Sequence, residues 1–142
     1  MTAIRRAADV AKGDLLPERV LHVDRAMLVR YAGASLDRNP IHWDERFARS
    51  VGLPDVIAHG MFTMGAAASL LTEWVGDPGR VARYTTKFVG PVVVPHDTGA
   101  EVVLGGKVTA VDPDTREVTV ELSAVCDGAK VLGRALATVV LD

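Results

Sequence analysis

Gly60-Met-Phe-Thr-Met-Gly-Ala-Ala-Ala-Ser-Leu-Leu-Thr-Glu-Trp-Val75 carries small residues on several sides in place of a polar stripe. A helix apolar all round is normally buried, so this stretch predicts a buried helix over Gly60–Val75. At 1.5 Å per residue it runs roughly 24 Å, and the Gly76-Asp-Pro-Gly79 cluster ends it. The remaining elements must cover that helix.

Beyond Gly79 the period changes. Residues 81–89, 100–111, 117–126 and 130–141 are rich in β-branched side chains and are separated by turn clusters at Asp112-Pro-Asp-Thr115 and Asp127-Gly128. Val118, Val120, Leu122 and Ala124 alternate with Thr119, Glu121 and Ser123, the pattern of strands with one face on a core. Ahead of the helix, residues 19–23 predict a first strand. Asp24 then stands as the N-cap of a helix over residues 25–33, with Leu28, Val29 and Ala32 on its apolar face. Residues 35–40 form a polar loop because Pro40 disfavours helical geometry at Asn39, and a second short helix follows from Asp44. Helices first and sequential strands after them predict one α+β domain over residues 1–142, an antiparallel sheet packed on the long helix.

Composition narrows the function. About half of the 142 residues are apolar (49%), enough for one core. A net charge of −2 without any Lys/Arg block argues against a nucleic-acid surface. No apolar run approaches the roughly 20 residues of a membrane span, and residues 1–11 lack the apolar core of a signal peptide, so a cytoplasmic location is expected. The one cysteine, Cys126, has no internal partner, and no Cys/His cluster has structural-zinc spacing, so no metal and no cofactor are expected.

The chemistry sits in Tyr31-Ala-Gly-Ala-Ser-Leu-Asp-Arg-Asn-Pro-Ile-His-Trp-Asp44. Asp37 and His42 stand five positions apart around a stiff Asn39-Pro40 pair, so their side chains can converge on one water, and a carboxylate with an imidazole suits acid–base work. The plainer reading has Asp37 and Asn39 capping turns and His42 packed at a helix entrance.

Ser35, Asp37, Asn39, Pro40, His42 and Asp44 together resemble the hydratase motif of the MaoC-like dehydratase and hydratase-2 family. At roughly 5% frequency per position, six such matches fall together by chance about once in 10⁸ windows. The similarity extends through Ala58-His-Gly-Met61 and the long helix. It is most detailed to the catalytic subunit of two-chain mycobacterial hydroxyacyl-carrier-protein dehydratases, at Asn-Pro-Ile-His-Trp-Asp44 and Trp-Val-Gly-Asp-Pro-Gly79. The resemblance implies a hot-dog fold, a sheet wrapped around a central helix, and an enzyme that hydrates trans-2-enoyl thioesters or dehydrates (3R)-hydroxyacyl thioesters.

It further implies that Asp37 and His42 activate water, that Asn39 supports the loop, and that the Gly60 amide receives the thioester carbonyl. A helix start suits that last task, since its first N–H groups are free and a glycine lets a substrate approach the backbone. His59 is expected to position the turn, Ser35 and Asp44 to cap, and His22 and His96 to be ordinary residues. Several family members carry a serine where this chain has Ala68, so a hydroxyl contact is missing unless Ser69 supplies it. Expected partners are an acyl-coenzyme A or acyl-carrier-protein thioester and a second hot-dog subunit, as homodimer or heterodimer, because a lone sheet leaves an open edge. The rival readings are a hot-dog thioesterase and a non-catalytic acyl-binding subunit.

Overall fold

The computed structural model describes residues 4–142. Residues 1–3 of the stretch read for a signal peptide, and of the expected 1–142 domain, therefore lie outside the described residues.

Asp24 opens the helical half as expected: its carboxylate accepts from the Met27 N–H at 2.7 Å and starts α1 (Arg25–Ser35). Leu36, at φ 62°, closes α1 in the left-handed conformation. Asp44 caps the short α2 (Glu45–Ser50) through the Phe47 N–H at 3.1 Å. The long helix α3 spans Gly60–Val75, the bounds its sequence gives, and Gly76 ends it at φ 88°, a geometry that favours a residue without Cβ.

The strands are β1 (Leu15–Val23), β2 (Val81–Phe88), β3 (Ala100–Asp112), β4 (Glu117–Cys126), the two-residue β5 (Ala129–Lys130) and β6 (Leu132–Val140). They form one antiparallel sheet in the order β1-β3-β4-β6-β2, with β5 paired to β4. Four register shifts bend it, between Leu16 and Arg19, Val81 and Arg83, Thr85 and Lys87, and Val108 and Ala110. The curved sheet lays Val102, Leu104, Val118, Val120, Leu122, Ala135, Ala137 and Val139 into one core with Ala67, Leu70, Leu71 and Val75 of α3. Leu71 is fully buried, and its truncation to Ala is expected to cost about 3 kcal/mol.

Four expectations are corrected. Val29, placed on the buried face of α1, is 58% exposed, because Leu28 and Ala32 already fill the core side of that helix. The face of α3 bearing Met61, Gly65 and Ser69 is exposed, since the sheet covers only the opposite side. Strand β1 begins at Leu15, four residues before the predicted start. The final strand is interrupted at Val131, whose N–H bonds the Ala124 carbonyl.

Candidate active site

The loop after α1 is a run of local caps. The Ser35 hydroxyl accepts from the Asp37 N–H at 3.2 Å, Asp37 Oδ1 accepts from the Asn39 N–H at 3.2 Å, and Asn39 Oδ1 accepts from the Ile41 N–H at 3.2 Å. Each short polar side chain takes a backbone donor two residues on, so the segment is rigid without belonging to helix or sheet. Pro40 then opens a 3₁₀ turn, Pro40–His42, that turns the His42 ring inward.

His42 is buried, and its Nδ1 lies 2.6 Å from the Ile57 carbonyl oxygen. A carbonyl only accepts, so Nδ1 carries the hydrogen and Nε2 presents a bare lone pair. That Nε2 faces Asp37 Oδ2 at 3.9 Å. Neither atom brings a hydrogen, so the gap suits a molecule that donates to both. Burial pushes the His42 imidazole below its ordinary pKa, and the neighbouring His59 acts in the same direction. The Ile57 carbonyl and the Asp37 carboxylate oppose that shift.

His59, the N-cap residue of α3, stacks on His42 with ring centroids 3.6 Å apart and planes 22° from parallel. Its Nε2 lies 2.9 Å from the Asp37 backbone oxygen. Asp37, His42 and His59 thus converge, their nearest ligand atoms within 4.8 Å of one another. The near-parallel rings aim their nitrogens side by side, and the Asp37 carbonyl occupies His59 Nε2, so the set does not fit a tetrahedral ion.

Gly60 follows His59 directly. The His59 carbonyl accepts from the Phe62 and Thr63 N–H groups, and among the described residues no protein acceptor takes the Gly60 N–H. A Cβ at Gly60 would meet the Phe88 ring at 2.9 Å, so the missing side chain also makes room for Phe88. A cleft of about 370 Å³ opens here, bounded by Ile57, Ala58, Gly60, Thr63, Phe88 and Pro91. Neither this cleft nor a larger hollow of about 530 Å³, near Leu16, Gly105, Ser123 and Arg134, is lined by Asp37, His42 or His59.

The structure therefore brings Asp37, Asn39, His42, His59 and Gly60 to one place. Ser69 stands on the exposed face of α3 with its hydroxyl donating to the Gly65 carbonyl at 3.1 Å, so it is committed within its own helix. The Ile57 carbonyl, which sets the His42 tautomer, is absent from the sequence reading because a backbone oxygen leaves no signature in residue type. No helix among the described residues is long and apolar enough to cross a membrane.

A curved antiparallel sheet packed on α3, with a carboxylate and an imidazole meeting beside that helix's first turn, defines a hot-dog protein. The MaoC like domain matches residues 7–126, and the chain belongs to that family. It is 43% identical over 89 residues to 3-hydroxyacyl-thioester dehydratase X of Mycobacterium tuberculosis, covering 63% of this chain and 31% of that protein. It is 31% identical over 103 residues to the (R)-specific enoyl-CoA hydratase of Rhodospirillum rubrum, covering 72% and 69% of the two chains. A solved MaoC-like dehydratase superposes with a TM-score of 0.96 at 44% identity over 98% of this chain and 43% of that one. The chain thus spans about a third of dehydratase X and under half of the solved relative.

Proposed function

We propose that this chain catalyses the reversible addition of water to trans-2-enoyl thioesters, and so the dehydration of (3R)-hydroxyacyl thioesters, in acyl metabolism. The observation that carries the reading is the bare His42 Nε2 facing Asp37 Oδ2 across 3.9 Å. One water placed there donates a hydrogen to each. As its oxygen bonds to Cβ, a proton passes to the pair and electron density moves onto the thioester carbonyl oxygen, where the Gly60 N–H at the positive end of α3 is the donor. The pair then returns the proton to Cα, so one water is added in total. In reverse, the same groups take the Cα proton and protonate the departing hydroxyl. Asn39 and His59 support the geometry.

Relatives named as an (R)-specific enoyl-CoA hydratase and a 3-hydroxyacyl-thioester dehydratase support this chemistry. The deciding assay follows a short trans-2-enoyl thioester, presented on coenzyme A and then on carrier protein. Loss of enoyl absorbance without thiol release, giving the (3R) product, is expected. Thiol release would instead make the chain a thioesterase, and a predominantly (3S) product would overturn the assignment.

The working unit in this reading is a dimer of hot-dog units over residues 1–142, formed by two copies or with a related subunit. Two features support it: the exposed Met61, Gly65 and Ser69 face of α3, and the unpaired outer edge of β2. The solved relative also leaves more than half of its chain outside the match, room for a second unit of this size.

A further inference from the structure

Resting on the hydration reading, we propose that His59 is a positioning residue that fixes the Asp37 loop and limits the stacked imidazole pair to one added proton. His59 is only 2% exposed. Its Nε2 lies 2.9 Å from the Asp37 carbonyl oxygen, which can only accept, so Nε2 carries the hydrogen and Nδ1 does not. Asp37 is thereby held twice, through its carbonyl by His59 and through Oδ1 by the Asn39 N–H. Only Oδ2 is left to face the reacting molecule.

The ring itself is wedged. His42 stacks on one side at 3.6 Å, the Tyr31 ring stands edge-on at 4.8 Å and 60°, and Phe62 backs Tyr31 at 5.5 Å and 75°. His59 Nδ1 is buried without a partner among the described residues. A proton arriving there would add an N–H with no acceptor, and would set one cation face to face with another whenever His42 is charged. The titratable groups acting on His42 are Asp37 from the loop and His59 from α3, and Tyr31 of α1 reaches only His59. Once His42 has taken a proton from water, that proton therefore stays on the side of Asp37 and the substrate.

Nitrogen-15 NMR of the imidazoles in the full chain, with pH profiles of kcat/KM, tests this. His59 is expected to show a protonated Nε2 and a bare Nδ1. His59→Gln restores an N–H at the Nε2 position, so it should recover most of the rate that removal of the ring loses, and because His59 stays neutral the His42 titration and the acid limb of kcat/KM should stay where they are in wild type. His59→Ala should lose roughly ten- to a hundredfold in kcat with little change in KM. A hydrogen on His59 Nδ1, a His42 titration displaced to higher pH in His59→Gln, or two charged imidazoles in the folded chain would each overturn the proposal. Should His59→Ala fail to fold, His59→Gln decides alone. The NMR outcomes do not depend on turnover, so a wild type without hydratase activity defeats the hydration reading and leaves the His59 tautomer still measurable.

Discussion

The Arg25 guanidinium meets the buried Asp55 carboxylate at 2.5 Å and donates through Nε to the Val94 carbonyl at 2.6 Å. Asp55 Oδ1 also accepts from the Val56 N–H at 2.8 Å, one residue before the carbonyl that holds His42. Asp55→Ala removes the shorter of two carboxylate contacts and leaves Arg25 with Glu45 at 3.3 Å, so it is expected to destabilise the fold by about 2 kcal/mol. Urea denaturation measures it, and a change below 1 kcal/mol would mean that the pair is solvated and contributes little.

Asp37→Asn and His42→Ala should each lower hydration by roughly 10²–10⁴-fold while remaining folded. Steady-state kinetics beside thermal unfolding provides the check. An Asp37→Asn enzyme within about twofold of wild type would remove Asp37 from the reaction.

Because burial lowers the His42 pKa, the base form needed for hydration should persist to a lower pH than an ordinary imidazole allows. The sign for stability follows from linkage. The unfolded chain binds the His42 proton more tightly than the folded one, so this group's contribution is complete above an unfolded pKa of about 6.5 and is lost as pH falls below it. Tm should therefore fall with pH in that window, and His42→Gln should flatten the fall. An equally steep curve in the variant assigns the loss to other groups.

Gly60 carries two demands, room for the Phe88 ring and a free N–H. Gly60→Val should reduce turnover, whereas Gly60→Val combined with Phe88→Ala should regain stability without regaining rate, since the new side chain still crowds the amide. Recovery of both in the double variant would leave Gly60 only a packing role.

A Cβ built at Gly65 meets nothing within 4 Å. Gly65→Arg should leave the single unit folded and place a cation on the exposed face of α3. If that face joins the dimer, sedimentation will show monomers for the variant and dimers for wild type. A variant that still dimerises shows that the subunits meet elsewhere.

Much of this architecture is legible from residue order, for identifiable reasons. Asp24, Asp44 and Gly76 act on backbone within four residues of themselves, so the helix ends can be read locally. The alternation of Val118, Val120, Leu122 and Ala124 likewise names the buried face of β4. Val29 and the open side of α3 were misplaced because periodicity says which residues share a face, while the sheet's position decides which apolar face it covers. The Asp37/His42 pair is visible because its members are five residues apart. The Ile57 carbonyl and the Phe88 ring reach the site from 15 and 28 residues away, from His42 and Gly60 respectively. Their parts rest on tertiary geometry and on a backbone atom, neither of which the sequence displays.

The gap between His42 Nε2 and Asp37 Oδ2 also sets a rule for which nucleophiles the site accepts. Two hydrogen acceptors facing one point are both satisfied by an oxygen that carries two hydrogens. An alcohol brings only one, so methanol would satisfy the buried His42 Nε2 and leave Asp37 Oδ2, whose side chain is 56% exposed, to be hydrated by solvent. In the hydration reading the site therefore prefers water to an alcohol only modestly, a preference that follows from the Ile57 carbonyl keeping the His42 hydrogen on the far side of its ring.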